Sequence, residues 1–190
     1  MIDLITEAHR FQIFCESMNW EFCFIGGLAV QHWGEPRLTR DVDVSILTGF
    51  GDETQFTSAI LKTYKARIPD AKNFAQQHRV LLVSTRSGID FDISLAALSF
   101  EEQMIRRSKV AEYLPGIELR ICSAEDLIVL KSFADRPQDW QDVRSIVIRQ
   151  APTSLDWEYI LSNLEPLVEL KEQPEILHKL RGLRDSSFLS

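Results

Sequence analysis

Along residues 4–18 the apolar positions Leu4, Ile5, Ala8, Phe11, Ile13, Phe14 and Met18 fall largely on one helical face, which predicts an amphipathic helix ending near Asn19. Phe22 to Ile25 is short, aromatic and β-branched, and reads as a buried strand stopped by Gly26-Gly27. Leu28 to Trp33 reads as a short helix closed by Gly34. Glu35-Pro36 then opens a loop, because a residue before proline resists the helical conformation. Val42, Val44 and Ile46 alternate with Asp41, Asp43 and Ser45, the period of a strand with one face in the core. A helical pattern returns from about Glu53 to Ala66, and Val80–Ser84 with Ile89–Leu95 form a hairpin around Arg86-Ser87-Gly88. Ser99 with Glu102 fits a capping box that starts a helix running to about Ser108. A second hairpin joins Tyr113-Leu114 to Ile117–Ile121 around Pro115-Gly116. From Ser123, paired with Asp126 as another helix-start signature, the pattern is helical, and Pro137, Pro152, Pro166 and Pro174 punctuate helices.

These elements predict an α+β chain: a small mixed β-sheet core with flanking helices over residues 1–122, followed by a helical C-terminal part over 123–190. A length of 190 residues is enough for such a core, and 45% hydrophobic with 26% charged residues is ordinary globular composition. No apolar run approaches the ~18 to 20 residues that cross a bilayer, and the N-terminus lacks a basic stretch followed by an apolar one. Cys15, Cys23 and Cys122 sit beside apolar residues and read as reduced core thiols, which points to a cytoplasmic protein without membrane association. The four histidines lack ligand spacing, which argues against zinc. A net charge of −7 speaks against a protein that coats nucleic acid, since that affinity comes from neutralising phosphates.

Chemistry concentrates in residues 22–47. A strand delivers Gly26-Gly27 to a helix start, where a ligand can approach the backbone and free N–H groups favour an anion such as a phosphate. A second strand presents Asp41 and Asp43, which share a face about 6.6 Å apart along the chain. Carboxylates beside a phosphate cradle make a hard, oxygen-rich site suited to Mg²⁺ or Mn²⁺. A third strand, GIDFDISL, carries Asp90 and Asp92 among apolar residues. Three strand carboxylates gathering two metal ions is an arrangement for phosphoryl transfer.

The run Ile25-Gly26-Gly27, then Leu28 to Arg40, then Asp41-Val42-Asp43-Val44 resembles the motif of the DNA polymerase β-type nucleotidyltransferase superfamily. The texture GGLAVQHWGEPRLTRDVDV followed by SAEDLIVLKSFADRPQDWQDV is similar to the bacterial AbiEii-type and related nucleotidyltransferase-like proteins, some of them toxins of toxin–antitoxin or phage-defence pairs. The resemblance spans roughly residues 20–145. It implies that residues 1–122 are the catalytic core, that Gly26 and Gly27 line a triphosphate, and that Asp41, Asp43 and Asp92 bind metals, with Asp90 the other candidate for the third carboxylate. It implies that Lys131 contacts a nucleotide phosphate and that Arg37, Thr39 and Arg40 shape the loop or meet the anion. Asp139 and Asp142 match acids that follow the lysine in the family.

The function so implied is Mg²⁺-dependent transfer of a nucleoside monophosphate from an NTP to a hydroxyl acceptor, an RNA end, a protein or a small molecule, with a cognate antitoxin as candidate partner. The alternative from another class is a catalytically silent nucleotide-binding module of a toxin–antitoxin pair.

Overall fold

The computed structural model describes residues 1–150 and 155–187. By internal contacts the chain divides into two compact units, Met1–Leu28 with Leu38–Cys122, and Ala29–Arg37 with Ser123–Ser190.

The first unit opens with helix α1 (Ile2–Ser17), which buries Leu4, Ile5, Ala8, Phe11 and Cys15. Strand β1 (Phe22–Phe24) is buried throughout, and helix α2 (Gly26–Trp33) starts directly after it. The remaining elements of this unit are β2 (Asp41–Leu47), α3 (Glu53–Ile60), β3 (Lys65–Ala66), α4 (Ala71–His78), β4 (Val80–Ser84), β5 (Asp90–Ala96), α5 (Ser99–Arg106), β6 (Lys109–Leu114) and β7 (Ile117–Ile121). The strands form one mixed sheet in the order β3-β4-β5-β2-β1-β7-β6. At its centre β2 runs parallel to β5 and antiparallel to β1. Period-two alternation sends Val42, Val44, Phe91 and Ile93 into the core, all fully buried. Phe11 of α1 meets the Phe91 ring at 5.0 Å, so this helix seals the apolar face of the sheet. The acidic positions between those residues are therefore left on the opposite face.

The second unit contains α6 (Ala124–Ala134), α7 (Pro137–Gln150), α8 (Trp157–Lys171) and α9 (Glu175–Ser187). Ser123 caps α6 by accepting the Asp126 N–H at 3.2 Å, and Tyr159 donates its hydroxyl to the Asp126 carboxylate at 2.6 Å. The Trp33 and Gly34 carbonyls at the end of α2 accept from Gln150 at 2.8 Å and Arg149 at 2.6 Å, which ties residues 29–37 to α7.

Four sequence expectations need correction. The helix over 53–66 ends at Ile60: turn hydrogen bonds from Lys62, Thr63 and Tyr64 follow, and Lys65–Ala66 then pair with Val83–Ser84 as an edge strand. A sheet partner satisfies this backbone where local propensity reads helix. Helix α4, with Ala71 and Ala75 buried, was not anticipated because its composition is mostly polar. The start of α5 is capped one residue earlier than Ser99 and Glu102 suggest, since the Glu101 carboxylate accepts the Ala97 and Leu98 N–H groups at 2.8 and 2.9 Å. Pro166 lies inside α8 rather than at a boundary, where the buried side chains of Ile160, Leu164 and Val168 carry the helix through it. Pro152 falls outside the described residues. The three cysteines are buried and none forms a disulfide, and burial pushes the Cys15 thiol well above its ordinary value. Among the described residues no helix is long and apolar enough to cross a membrane.

Candidate active site

The strand–glycine–helix junction is built around Asp43. Gly26 adopts φ +58°, and a Cβ there would stand 1.9 Å from Asp43 Oδ2, so only glycine leaves room for the carboxylate. The Gly27 N–H donates to the same oxygen at 3.4 Å, which seats a negative group at the first turn of α2. A Cβ on Gly27 would meet Thr39 Oγ1 at 2.4 Å. Thr39 is itself buried and donates to Asp41 Oδ1 at 3.2 Å, and thus covers the second glycine while orienting the other β2 carboxylate. Arg40 follows as an exposed side chain. Gly26→Ala is expected to displace the Asp43 carboxylate and to cost about 1–2 kcal/mol for the left-handed backbone alone; urea unfolding measures the cost, and unchanged stability would contradict this packing.

Register brings the β5 acids alongside. Asp41 pairs with Asp90 and Asp43 with Asp92 across the parallel β2–β5 ladder, so all four carboxylates share one half-exposed face. Asp90 accepts from Ser84 at 2.5 Å. Arg67, just past β3, reaches both β5 acids: its guanidinium pairs with Asp90 at 3.5 Å and is hydrogen-bonded to Asp92. Among the described residues no set of three or more His, Cys, Asp or Glu side chains is gathered as a metal site. The donor chemistry still suits a hard divalent cation, since every candidate ligand is a carboxylate oxygen and the Gly26 cradle keeps Asp43 free of a neighbouring Cβ. Sequence reasoning missed Arg67. The alternation Lys65-Ala66-Arg67 was the available signal, and it was hidden by the helical pattern running into it.

The other candidates belong to the helical unit. Lys131 is buried and donates to Asp139 at 2.8 Å and approaches Asp142 at 2.9 Å. Arg37 forms a two-pronged contact with Asp142, at 2.8 Å on both arms, and Arg136 reaches Asp139 at 2.6 Å. Burial pushes the Asp139 carboxyl up, but hydrogen bonds from Arg136 and Lys131 outweigh it and hold the group below its ordinary value. Burial likewise opposes ionisation of Asp142, and Arg37 with Lys131 wins there too. These five side chains form one ion network in which the lysine ammonium already serves two carboxylates.

No protein-family model matches the chain, and neither does any curated protein. Among solved structures, an antigenic nucleotidyltransferase-like protein from Paracoccidioides brasiliensis superposes over 94% of this chain and 92% of its own, with a TM-score of 0.54 and 16% identity. The fold is that of a nucleotidyltransferase. The antibiotic-resistance factor ANT(2″)-Ia shares the nucleotidyltransferase fold over 96% of this chain and 89% of its own, with a TM-score of 0.52 and 13% identity. A second structure of that protein, in complex with adenylyl-2″-tobramycin, matches 90% of this chain and 96% of its own at a TM-score of 0.50 and 15% identity.

Proposed function

We propose that the protein transfers a nucleoside monophosphate from an NTP to a hydroxyl acceptor and releases pyrophosphate. The observation that carries this reading is the Asp43 carboxylate seated against Gly26-Gly27, with Asp41, Asp90 and Asp92 register-matched on the same face of a nucleotidyltransferase fold. That ANT(2″)-Ia was solved with an adenylylated tobramycin supports a hydroxyl as the acceptor group.

In this mechanism the backbone at Gly26 and Gly27 lets the triphosphate lie close to the start of α2, where helix-end N–H groups offset phosphate charge. Asp41 and Asp43 would hold Mg²⁺ or Mn²⁺, with Asp92 joining once Arg67 releases it. The cation would supply neutralisation of charge on the phosphates. Thr39 keeps Asp41 turned toward that space, and Arg40 adds positive charge at its edge. The acceptor oxygen forms a bond to the α-phosphorus as the bond from that phosphorus to the bridging oxygen breaks. Pyrophosphate leaves with the electron pair, and the hydroxyl proton passes to the Asp92 carboxylate. Catalysis is by positioning and electrostatics, with no covalent enzyme intermediate. Lys131, Asp139, Asp142 and Arg37 are given a structural part, holding the helical unit together. The kinship with AbiEii-type proteins, and with it an antitoxin partner, stays part of this proposal.

The test is incubation of the full chain with each α-labelled NTP, Mg²⁺ and a panel of hydroxyl acceptors, reading label transfer and pyrophosphate release. No product with any nucleotide would sink the enzymatic reading.

One observation favours a second reading, a module that binds nucleotide without turnover: Arg67 already neutralises Asp90 and Asp92, as a cation would. Calorimetry separates the two, because tight NTP binding with Mg²⁺ and no transfer to any acceptor selects the module.

A further inference from the structure

Beside the carboxylate face, and within the first unit, lies an open cavity of about 750 Å³ whose charge is opposite to that of the whole chain. Its walls carry Lys62, Lys65, Arg67 and Arg86 against one acid, Asp90, with Tyr64 between the lysines. Lys65 and Arg67 are two positions apart on the extended edge of the sheet and so share a face. Arg86 stands at the tip of the β4–β5 turn, which is braced by the Ile89 N–H donating to Thr85 at 3.0 Å and by a 2.9 Å contact between Thr85 and Ser87. Among the described residues no carboxylate lies within ion-pair distance of Lys62, Lys65 or Arg86, so these three charges face the cavity unneutralised. Lysine on an edge strand also deters strand addition, but Lys62 and Arg86 lie outside the strand, and that role does not explain them. The volume falls in the range of small-molecule sites, roughly 300–1,000 Å³.

Arg67 joins this cavity to the reaction site, since it lines the cavity and holds Asp92. We infer that the cavity takes the acceptor, and that the acceptor is a hydroxyl compound carrying phosphate: a phosphorylated small molecule or the terminal nucleotides of an RNA strand. The inference rests on the nucleotidyl-transfer reading for the word acceptor and on the cavity alone for the phosphate. Arginine forks and lysine ammonium groups together suit phosphate oxygens. An amine-rich sugar such as tobramycin is repelled by the same walls. The proximity of Arg67 to both sites further implies that phosphate arriving in the cavity competes with Asp92 for its guanidinium and so frees that carboxylate for the reaction.

The experiment compares the wild-type chain with the Lys65→Glu, Arg86→Glu double variant, both sites being exposed. Binding of ribose 5-phosphate, of a short RNA oligonucleotide and of tobramycin is measured by calorimetry, alongside binding of NTP with Mg²⁺. The expected result is binding of a phosphate-bearing probe by the wild type, weakened about tenfold or more in the variant, with NTP affinity unchanged and no tobramycin binding. If RNA is the source, the oligonucleotide binds more tightly than the sugar phosphate, and the slope of log affinity against log salt falls by about 1.4 in the variant, at about 0.7 per phosphate contact on a single strand. If a small molecule is the source, the sugar phosphate binds at least as well as the oligonucleotide. Absence of binding by both phosphate probes, equal binding by wild type and variant, or preference for tobramycin overturns the proposal. Phosphate binding that is lost in the variant, in a protein that never transfers label, leaves the anion site standing and sinks only the nucleotidyl-transfer reading.

Discussion

Asp43→Asn is expected to lower label transfer from an α-labelled NTP by ~10³-fold, the scale on which a preorganised electrostatic group acts in a transition state. The substitution is nearly isosteric, and the asparagine oxygen can still accept the Gly27 N–H that Asp43 accepts now at 3.4 Å. The start of α2 is therefore retained while a negative charge is lost. Because Asp41, Asp90 and Asp92 share the face, removing one of four like charges leaves the melting temperature unchanged or slightly raised. That combination, transfer lost and stability kept, marks a group held for chemistry rather than for folding. Asp41→Asn is expected to behave in the same direction, and transfer that survives both substitutions would remove the carboxylates from the mechanism.

Lys131→Met is expected to do the reverse, destabilising the protein by about 3–5 kcal/mol in urea unfolding, the usual cost of removing one partner from a buried ion pair. Asp139 and Asp142 are almost wholly buried, and without the ammonium Asp139 is left to Arg136, and Asp142 to Arg37 and the Gln138 amide. A loss of that size is a large part of a typical domain's 5–15 kcal/mol. The pH dependence follows from the same contacts. Both carboxyls are held below their ordinary value of 3.8, so their contribution is complete above that pH and is lost as the pH falls through the lowered folded values. Acid unfolding of the wild type should steepen below about pH 4, and Asp139→Asn should flatten that limb. If Lys131→Met left stability intact and weakened only NTP binding, the lysine would be a phosphate contact as the sequence resemblance implies, and its structural part in the network would be wrong.

The two sets of residues differ in how they could be read. Asp41 and Asp43 alternate with Val42 and Val44, and the period of two alone puts the acids on one face and the valines in the core. Gly26-Gly27 is legible for a similar reason, because so short a strand followed by paired glycines leaves little but a close approach to explain them. Register is a different matter: nothing in the spacing of GIDFDISL pairs Asp92 with Asp43 rather than with a neighbour, and that depends on which strands lie side by side. Arg67 lay hidden because residues 53–66 carry a helical pattern, and the pairing of Lys65–Ala66 with β4 overrides it.

The sequence by itself determined the α+β class, the glycine–carboxylate junction and the acidic face, since all three follow from local periodicity and turn chemistry. Only the tertiary structure decided that Lys131 joins a buried network with Asp139 and Asp142, that Arg67 bridges the β5 acids, and that four cations from two segments, 62–67 and the β4–β5 turn, line one cavity in a chain of net charge −7. The physical reason is that charge acts over distance in space. Local patterns set which face of a strand or helix a side chain occupies, whereas its electrostatic partners come from segments that long-range strand and helix packing brings together.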